Sequence, residues 1–231
     1  MFGLKKRKQR KLSTMARKLV TVSDSKSIIS EQFRTIRTNI KFSMPEQNIK
    51  TILVTSSIPG EGKSTNAANL GVVFAQEGKR VVIVDADMRK PTLHHTFGIL
   101  NVNGLSNVLT RQQEHFEVIQ ETSVEGVNVI LSGPIPPNPA ELLSATNMDR
   151  LLLELSKDFD IIILDAPPLL SVADAQILSN KCDGTLLVVN SGVVENVSVL
   201  KAKAILETSK AKILGVVLNN YKLPRNHYYQ Y

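Results

Sequence analysis

Six apolar runs of strand length recur along the chain, separated by segments with helical spacing. Each run is nearly continuous rather than alternating, which is typical of parallel strands covered by helices on both faces. Helical segments fall between most of the runs, and this order predicts a doubly wound, mainly parallel α/β sheet. The runs occupy residues 51–56, 81–84, 127–131, 161–164, 185–189 and 213–218.

An amphipathic helix is predicted before the first strand, over residues 27–43. Its apolar residues recur every three or four positions and so share one helical face; they are Ile29, Phe33, Ile36 and Ile40. A second helix is predicted from residue 63 to about residue 77. Asn138, Pro139 and Glu141 suit the N-cap, N1 and N3 positions of a helix, so a further helix should begin at Pro139.

Length and charge define the expected organisation. A chain of 231 residues is most simply one α/β domain. The net charge of +7 is concentrated in residues 1–18, which hold eight basic residues and no acid, so that 20 basic residues face 21 acidic ones elsewhere. We therefore expect a basic, flexible arm over residues 1–26, a folded domain over 27–220 and a flexible tail over 221–231.

The basic arm has three interpretations. It could contact an anionic membrane surface, at about 1 kcal/mol per basic residue near the lipid. It could bind nucleic acid without sequence preference, or it could remain a solvated tail. No aromatic residues interleave the charges to stack on bases, so nucleic acid is an unfavoured partner.

Cysteine usage and hydropathy indicate the compartment. Cys182 is the only cysteine, which excludes an intramolecular disulfide and fits a reducing cytosol. No apolar run approaches the roughly 20 residues of a membrane-spanning helix, and the first residues lack the apolar core of a signal peptide. The expected location is the cytoplasm.

A phosphate-binding loop is predicted between the first strand and the helix after it. Residues 57–64 match the pattern G-x-x-x-x-G-K-S/T, except that Ser57 replaces the first glycine. Gly60 and Gly62 let backbone N–H groups converge on phosphate oxygens. Lys63 would neutralise the β- and γ-phosphates, and Ser64 would offer a hydroxyl to Mg²⁺. A chance match is disfavoured because the loop follows a strand and opens a helix.

Acidic residues end two further strands. Asp165 follows an apolar run, where phosphate-loop proteins carry a second metal-contacting acid. Asp85 and Asp87 lie two positions apart at a strand end, so both point toward the ligand edge of an open α/β sheet. One could hold Mg²⁺ while the other accepts a proton. The alternative is a solvated turn in which Arg89 and Lys90 are simple ion-pair partners.

Together these stretches resemble the bacterial tyrosine kinases. The family's second Walker-type motif, apolar residues followed by D-x-D-x-R, is complete at residues 82–89. Its B motif, with a D-x-x-P ending, is present at residues 162–168, and residues 31–37 match its E-x-x-R-x-x-R subunit-contact motif. With the tyrosine-rich end, the resemblance runs from about residue 26 to residue 231.

The resemblance implies a role for each matching residue, with ATP and Mg²⁺ as cofactors. Ser64, Asp87 and Asp165 would hold Mg²⁺, and Asp85 would take the proton of a phenol, whose ordinary pKa of about 10 makes it a weak nucleophile. Asn219 is similar in placement to the asparagine that reads adenine in related ATPases. The implied catalytic residues are Lys63, Asp85, Asp87, Arg89 and Asp165. The implied nucleotide contacts are Pro59, Gly60, Glu61, Gly62, Lys63, Ser64, Thr65 and Asn219.

All four tyrosines lie within the last eleven residues. Tyr228, Tyr229 and Tyr231 are grouped with polar residues, which is poor core composition. Residues 221–231 extend at most about 36 Å, so the tail could reach its own site or that of a neighbour. The resemblance implies autophosphorylation of these three tyrosines between subunits; the alternative is a disordered end with incidental tyrosines.

The resemblance also implies a homo-oligomeric ring. Glu31, Arg34 and Arg37 lie three apart on one helical face and would contact the next subunit. The alternative is an exposed helix with local ion pairs.

The function implied is an ATP-dependent protein-tyrosine kinase that regulates synthesis and export of capsular or extracellular polysaccharide. The implied partners are a transmembrane activator whose cytoplasmic segment recruits the kinase to the inner face of the plasma membrane, a cognate tyrosine phosphatase, and substrates such as sugar-nucleotide enzymes. The main alternative is a switch ATPase of the septum-site or plasmid-partition type. Those proteins carry an extra lysine where this chain has Ile58 and lack a tyrosine tail. A catalytically weak scaffold is a further alternative.

Overall fold

A seven-stranded sheet forms the centre of the molecule, as seen in a computed structural model that describes residues 19–43 and 49–222. The strand order is β3-β4-β2-β5-β1-β6-β7, and every neighbouring pair is parallel except β3 with β4. The predicted doubly wound, phosphate-loop type of α/β fold is confirmed. The strands are β1 (Thr51–Ser56), β2 (Val81–Asp85), β3 (Ile119–Glu121), β4 (Val127–Ile130), β5 (Ile161–Asp165), β6 (Gly184–Asn190) and β7 (Ile213–Asn219).

Helices precede, connect and cover these strands. The longest lie before β1, after β1, before β5 and before β7. The helices are α1 (Val20–Ser23), α2 (Ile28–Ser43), α3 (Lys63–Ala75), α4 (Leu93–Phe97), α5 (Leu105–Leu109), α6 (His115–Val118), α7 (Pro139–Ser144), α8 (Thr146–Asp158), α9 (Asp174–Lys181) and α10 (Asn196–Thr208).

Two apolar cores lie on opposite faces of the sheet. Along β2, Val82 and Val84 enter the core that includes residues of α8, α9 and α10. Val81 and Ile83 enter the other core, with residues of α2 and α3. Because both faces of a central strand are buried, its sequence is apolar at every position, and this is why the runs read as continuous.

All six predicted strands are present, each within one residue of its expected limits. Strand β3 was missed because it has only three residues, one of them apolar, and pairs antiparallel with β4 at the edge of the sheet. Helix α7 begins at Pro139 as predicted, with Asn138 in the N-cap position. The Asn138 side chain does not cap the backbone, however; its Nδ2 donates to Glu141 Oε2 at 3.0 Å.

The folded domain begins before the expected boundary at residue 27. Thr21 in α1 is fully buried, and both its backbone N–H and its hydroxyl donate to Asn69 Oδ1 of α3, at 3.1 and 2.8 Å. Gln76 Nε2 donates in turn to the Thr21 carbonyl at 3.1 Å. Residues 19–26 therefore belong to the domain, while the basic residues 1–18 lie outside the described part of the chain.

None of the helices within residues 19–43 and 49–222 has both the length and the apolar character that a transmembrane span requires.

The anchoring of α1 gives a prediction about stability. Replacing Asn69 by Ala leaves two buried donors of Thr21 without their acceptor, which should lower the free energy of unfolding by about 1–3 kcal/mol. The matched control is Asn180→Ala, which removes an exposed side chain bonded to one carbonyl and should change stability by less than about 0.5 kcal/mol. Urea denaturation measures both; equal stabilities of the two variants would show that the contact between Thr21 and Asn69 contributes nothing to stability.

Candidate nucleotide site

The loop between β1 and α3 has the backbone shape of a phosphate cradle. Gly60 and Gly62 have φ values of +86° and +91°, in the left-handed region that favours glycine. A Cβ on Gly62 would also stand 2.2 Å from Asn219 Nδ2, so this position has no room for a side chain. Helix α3 begins directly afterwards at Lys63, and its N-terminal N–H groups favour an anion.

Lys63 lies among the carboxylates at the ends of β2 and β5. Its Nζ is 2.8 Å from Asp87 Oδ2 and 3.3 Å from Asp165 Oδ1. Residues Asp85 and Asp165 are register partners in the pairing of β2 with β5, which brings both strand ends to the same point. The predicted convergence of the three Walker-type motifs is therefore present in the structure.

The carboxylates of Asp85 and Asp87 have different surroundings. Asp87 lines the cavity beside the loop. Asp85 is fully buried, and its Oδ2 accepts from the backbone N–H groups of Thr92 and Leu93, at 3.1 and 3.0 Å. Asp85 therefore caps the start of α4, and it is not among the residues that line the cavity. The alternative of a solvated turn is wrong for both residues, since Asp87 is buried as well.

Burial and charge shift the ionisation of this cluster. Burial, followed by the neighbouring Asp165 charge, raises the pKa of Asp85 to about 8. Burial also raises the pKa of Asp165 despite the nearby Lys63 ammonium. Burial alone would lower the pKa of Lys63, but the charges of Asp165 and Asp87 outweigh it and raise that pKa. When ionised, the three carboxylates of the cluster carry more negative charge than the single Lys63 ammonium can neutralise.

Several polar atoms at the cluster have capacity for a further ligand. Asp165 Oδ2 and Asp85 Oδ1 are buried without a hydrogen-bond partner, and Ser64 Oγ lies 2.9 Å from Thr92 Oγ1. Among the described residues, no three His, Cys, Asp or Glu side chains are arranged as a ready-made metal cage. This donor set fits Mg²⁺, which usually takes one or two protein carboxylates and completes its shell with phosphates and water.

Arg89 is held by an acid that the sequence did not predict. Its Nε and Nη2 donate to the two carboxylate oxygens of Asp174, at 2.9 and 3.0 Å, and Asp174 is fully buried at the start of α9. This bidentate contact fixes the guanidinium plane at the cavity wall. The two residues are 85 positions apart, so no local pattern signals the pair.

A cavity of about 630 Å³ lies over the loop and extends past Asp87 and Arg89 to the end of β7. Of the residues expected to contact nucleotide, only Glu61 does not line it. Thr92, Ser171, Val172 and Asn220 line it without having been predicted. The expected residues found there are Pro59, Gly60, Gly62, Lys63, Ser64, Thr65, Asp87, Arg89 and Asn219.

The contacts of Asn219 differ from the expected reading of adenine. Its Nδ2 donates to the Glu61 carbonyl at 2.8 Å, so in this structure its amide supports the loop. Because β7 ends here, the chain leaves the sheet at the cavity, and Tyr221 follows with 54% of its surface exposed. Tyr228, Tyr229 and Tyr231 lie outside the described residues.

The three expected interface residues do not share one environment. Arg34 pairs with Glu31 and donates through Nη2 to the Ser25 carbonyl at 2.7 Å. Arg37 is turned toward its own domain, where Nη1 donates to the Val73 carbonyl at 2.6 Å. Its side chain is 16% exposed, against 65% for that of Glu31. Through Arg37, the E-x-x-R-x-x-R motif therefore also holds α2 against α3 within one chain.

The fold and the loop define this chain as a phosphate-loop nucleotide-binding protein. A family model described as an AAA domain matches residues 49–211. The chain is 48% identical to the tyrosine-protein kinase YwqD of Bacillus subtilis (strain 168) over 219 residues, which cover 95% of this chain and 92% of that protein.

Solved structures agree with this match. The crystal structure of the chimerical protein CapA2B2 superposes with a TM-score of 0.86 at 42% identity, covering 90% of this chain and 93% of that one. The cell division ATPase MinD of Pyrococcus furiosus is more distant, with a TM-score of 0.65 at 27% identity over 74% of this chain and 72% of its own. The chain belongs to the bacterial tyrosine kinases, and the septum-site type of ATPase is disfavoured.

The position of Lys63 predicts its effect on nucleotide binding. Lys63→Met keeps the side-chain length but removes the ammonium that lies beside the phosphate loop, against Asp87 and Asp165, so affinity for ADP with magnesium should fall about 100-fold or more. Isothermal titration calorimetry measures the change. Lys203→Met, at an exposed residue of α10 that pairs with Glu207, is the control and should bind ADP as the unaltered protein does. Similar affinities for the two variants would contradict the assigned role of Lys63.

Proposed function

We propose that this chain is an ATP- and Mg²⁺-dependent protein-tyrosine kinase that phosphorylates tyrosines of its own C-terminal tail, in a neighbouring copy, and tyrosines of other proteins. The observation that carries the proposal is the place where the chain leaves the sheet. Asn219 and Asn220 line the same cavity as Lys63 and Asp87, so the segment before the tyrosine cluster starts at the mouth of the nucleotide site.

The nucleotide would lie along the loop, with its phosphates against the N–H groups of residues 59–65 and the Lys63 ammonium. Ser64, Asp87 and Asp165 are the proposed holders of Mg²⁺, supported by their proximity to Lys63 and by the unpaired Asp165 oxygen. Bound Mg²⁺ would neutralise charge on the β- and γ-phosphates. Arg89, fixed by Asp174, would present a rigid cation to the transferring group.

In the transfer, the phenol oxygen bonds to the γ-phosphorus while the bond from that phosphorus to the β–γ bridging oxygen breaks, and ADP leaves. The phenolic proton must pass to a base. Asp85 is the proposed acceptor because its Oδ1 has no hydrogen-bond partner and because burial, which raises its pKa to about 8, makes its ionised form a stronger base than an exposed carboxylate. Asp85 does not line the cavity, so the transfer would need a bridging water between the phenol and the unpaired Oδ1.

Asp85→Asn separates a chemical role from the capping of α4. The Asn carbonyl can still accept from Thr92 and Leu93, so the fold should persist, but the amide cannot take a proton. We expect kcat to fall by about 100-fold or more, with ADP affinity undiminished. Quench-flow phosphotyrosine formation and calorimetry measure the two quantities. An unchanged kcat would limit Asp85 to the capping role.

The tail reaction is proposed to occur between copies arranged in a ring. Glu31 and Arg34 are the proposed contact residues, supported by the exposure of Glu31. Each phosphate adds about −1.5 to −2 charges, so a modified tail would be repelled by the carboxylates at the site. Phosphorylation would in this way release the tail and loosen the ring.

The proposed biological role is control of capsular or extracellular polysaccharide synthesis and export, by analogy with the family. The proposed partners are a transmembrane activator with a cytoplasmic C-terminal segment, a cognate tyrosine phosphatase and sugar-nucleotide enzymes as substrates. The activator would hold the kinase at the inner face of the plasma membrane, and the basic arm could add surface contact through residues 1–18.

Mixing two variants, each of which lacks one part of the reaction, tests transfer between copies. A Lys63→Met chain keeps its tail tyrosines, and a chain with Tyr228→Phe, Tyr229→Phe and Tyr231→Phe keeps its site. We expect phosphotyrosine on the Lys63→Met chain only in the mixture, as detected by mass spectrometry of size-tagged chains.

The mixing experiment has a control variant, and its two contrary outcomes can be told apart. Tyr221→Phe in the Lys63→Met chain should leave the labelling unchanged, because the cluster lies further along. Labelling of the unaltered protein without labelling in the mixture would mean that each chain modifies only itself. Complete absence of phosphotyrosine, with ADP still released from ATP, would favour the switch ATPase.

A further inference from the structure

Glu61 lies within the phosphate loop, but its side chain does not face the nucleotide. The residue is fully buried and is absent from the cavity wall that its neighbours Gly60 and Gly62 line. A carboxylate removed from water is costly unless every oxygen finds a donor. The contacts of Glu61 therefore indicate what it does.

Three neutral donors surround this carboxylate. Oε2 accepts from the Ile58 backbone N–H and from the Ser57 hydroxyl, both at 2.7 Å. Oε1 accepts from the backbone N–H of Asn190 at 3.0 Å. Among the described residues no Lys, Arg or His forms a salt bridge with it. One oxygen thus holds the start of the loop, and the other holds the carboxyl end of β6.

The loop and the end of β6 are also connected to the end of β7. Asn219 Nδ2 donates to the Glu61 carbonyl at 2.8 Å, and Asn220 Nδ2 donates to Asn190 Oδ1 at 3.0 Å. Ser191 N–H, one residue after β6, donates to the Asn219 carbonyl at 2.9 Å. The phosphate loop and the two strand ends before Tyr221 form one hydrogen-bonded unit.

We propose that Glu61 is a positioning residue that fixes the phosphate loop to the ends of β6 and β7 and couples nucleotide binding to the segment from which the tail leaves. The coupling to the tail rests on the kinase function proposed above; the fixing of the loop does not. Ser57, which stands where the loop pattern has glycine, supplies the hydroxyl for this contact.

The pattern of donors explains why the residue must be Glu. In Gln, one oxygen becomes an NH₂ group, and either orientation places that group against a backbone N–H, of Ile58 or of Asn190. Asp is one methylene shorter and cannot reach both ends. Ala leaves two backbone donors without an acceptor.

The test uses the full chain with Glu61→Gln. Because a fixed loop binds the phosphates of ground state and transition state alike, the variant should raise the KM for ATP and the Kd for ADP with magnesium about tenfold or more, with kcat within about threefold. Glu207→Gln, on the exposed face of α10, is the matched control and should change neither constant. A fall in kcat at unchanged KM would overturn the proposal.

Hydrogen exchange measures the coupling directly. In the unaltered protein, ADP with magnesium should slow amide exchange at residues 190–191 and 219–222 as well as in the loop. In Glu61→Gln at saturating ADP, protection should remain in the loop and be lost at these strand ends. Equal protection at both places in the variant would overturn the coupling.

A milder variant covers the case in which Glu61→Gln fails to fold. Ser57→Ala removes one donor and leaves the backbone contacts, so it should raise the Kd for ADP by about threefold; an unchanged Kd would then count against the proposal. Binding and exchange need no phosphoryl transfer. Absence of kinase activity with these shifts present would refute the proposed function and leave the role of Glu61 in place.

Discussion

The structure of the site depends on a cluster of buried carboxylates where β2 and β5 end, in which negative groups outnumber positive ones. Asp85, Asp87 and Asp165 are all removed from water, and the Lys63 ammonium contacts two of them. A buried carboxylate without a partner is strongly unfavourable, so the cluster persists by raising pKa values and by holding Lys63 in place. Under the proposed function, a divalent cation that arrives with a triphosphate would supply the missing positive charge and would free Lys63 for the phosphates.

This arrangement follows from the parallel sheet. In a parallel sheet all strands end at the same edge, so residues far apart in sequence, such as Asp85 and Asp165, become register partners. The apolar strands that carry them are buried on both faces, which keeps water away from the carboxylates. The continuous hydrophobic runs and the perturbed acids thus have one cause.

The sequence was sufficient for six of the seven described strands, for the loop and for the acids at strand ends, since each has a local pattern of periodicity or spacing. It was insufficient for contacts between distant residues. No local signature marks a contact whose partners are brought together only by the tertiary fold. Examples are the pairs Arg89–Asp174 and Thr21–Asn69 and the pairing of β3 with β4. Asp85 shows a further limit: its position at a strand end was predicted, but its orientation toward α4 is set by the Thr92 and Leu93 amides.

The departures of the loop from the common pattern have one explanation. Ser57 replaces a glycine. Glu61 places a carboxylate beside a loop that binds anions, and the charge of this carboxylate would oppose phosphate binding if the side chain faced the cavity. Both residues turn inward and bond to each other instead. The contact with Asn190 then joins the loop to β6, next to the strand from which the tail leaves. An acid is tolerated in this loop because its charge is directed away from the phosphates and used to connect two parts of the site.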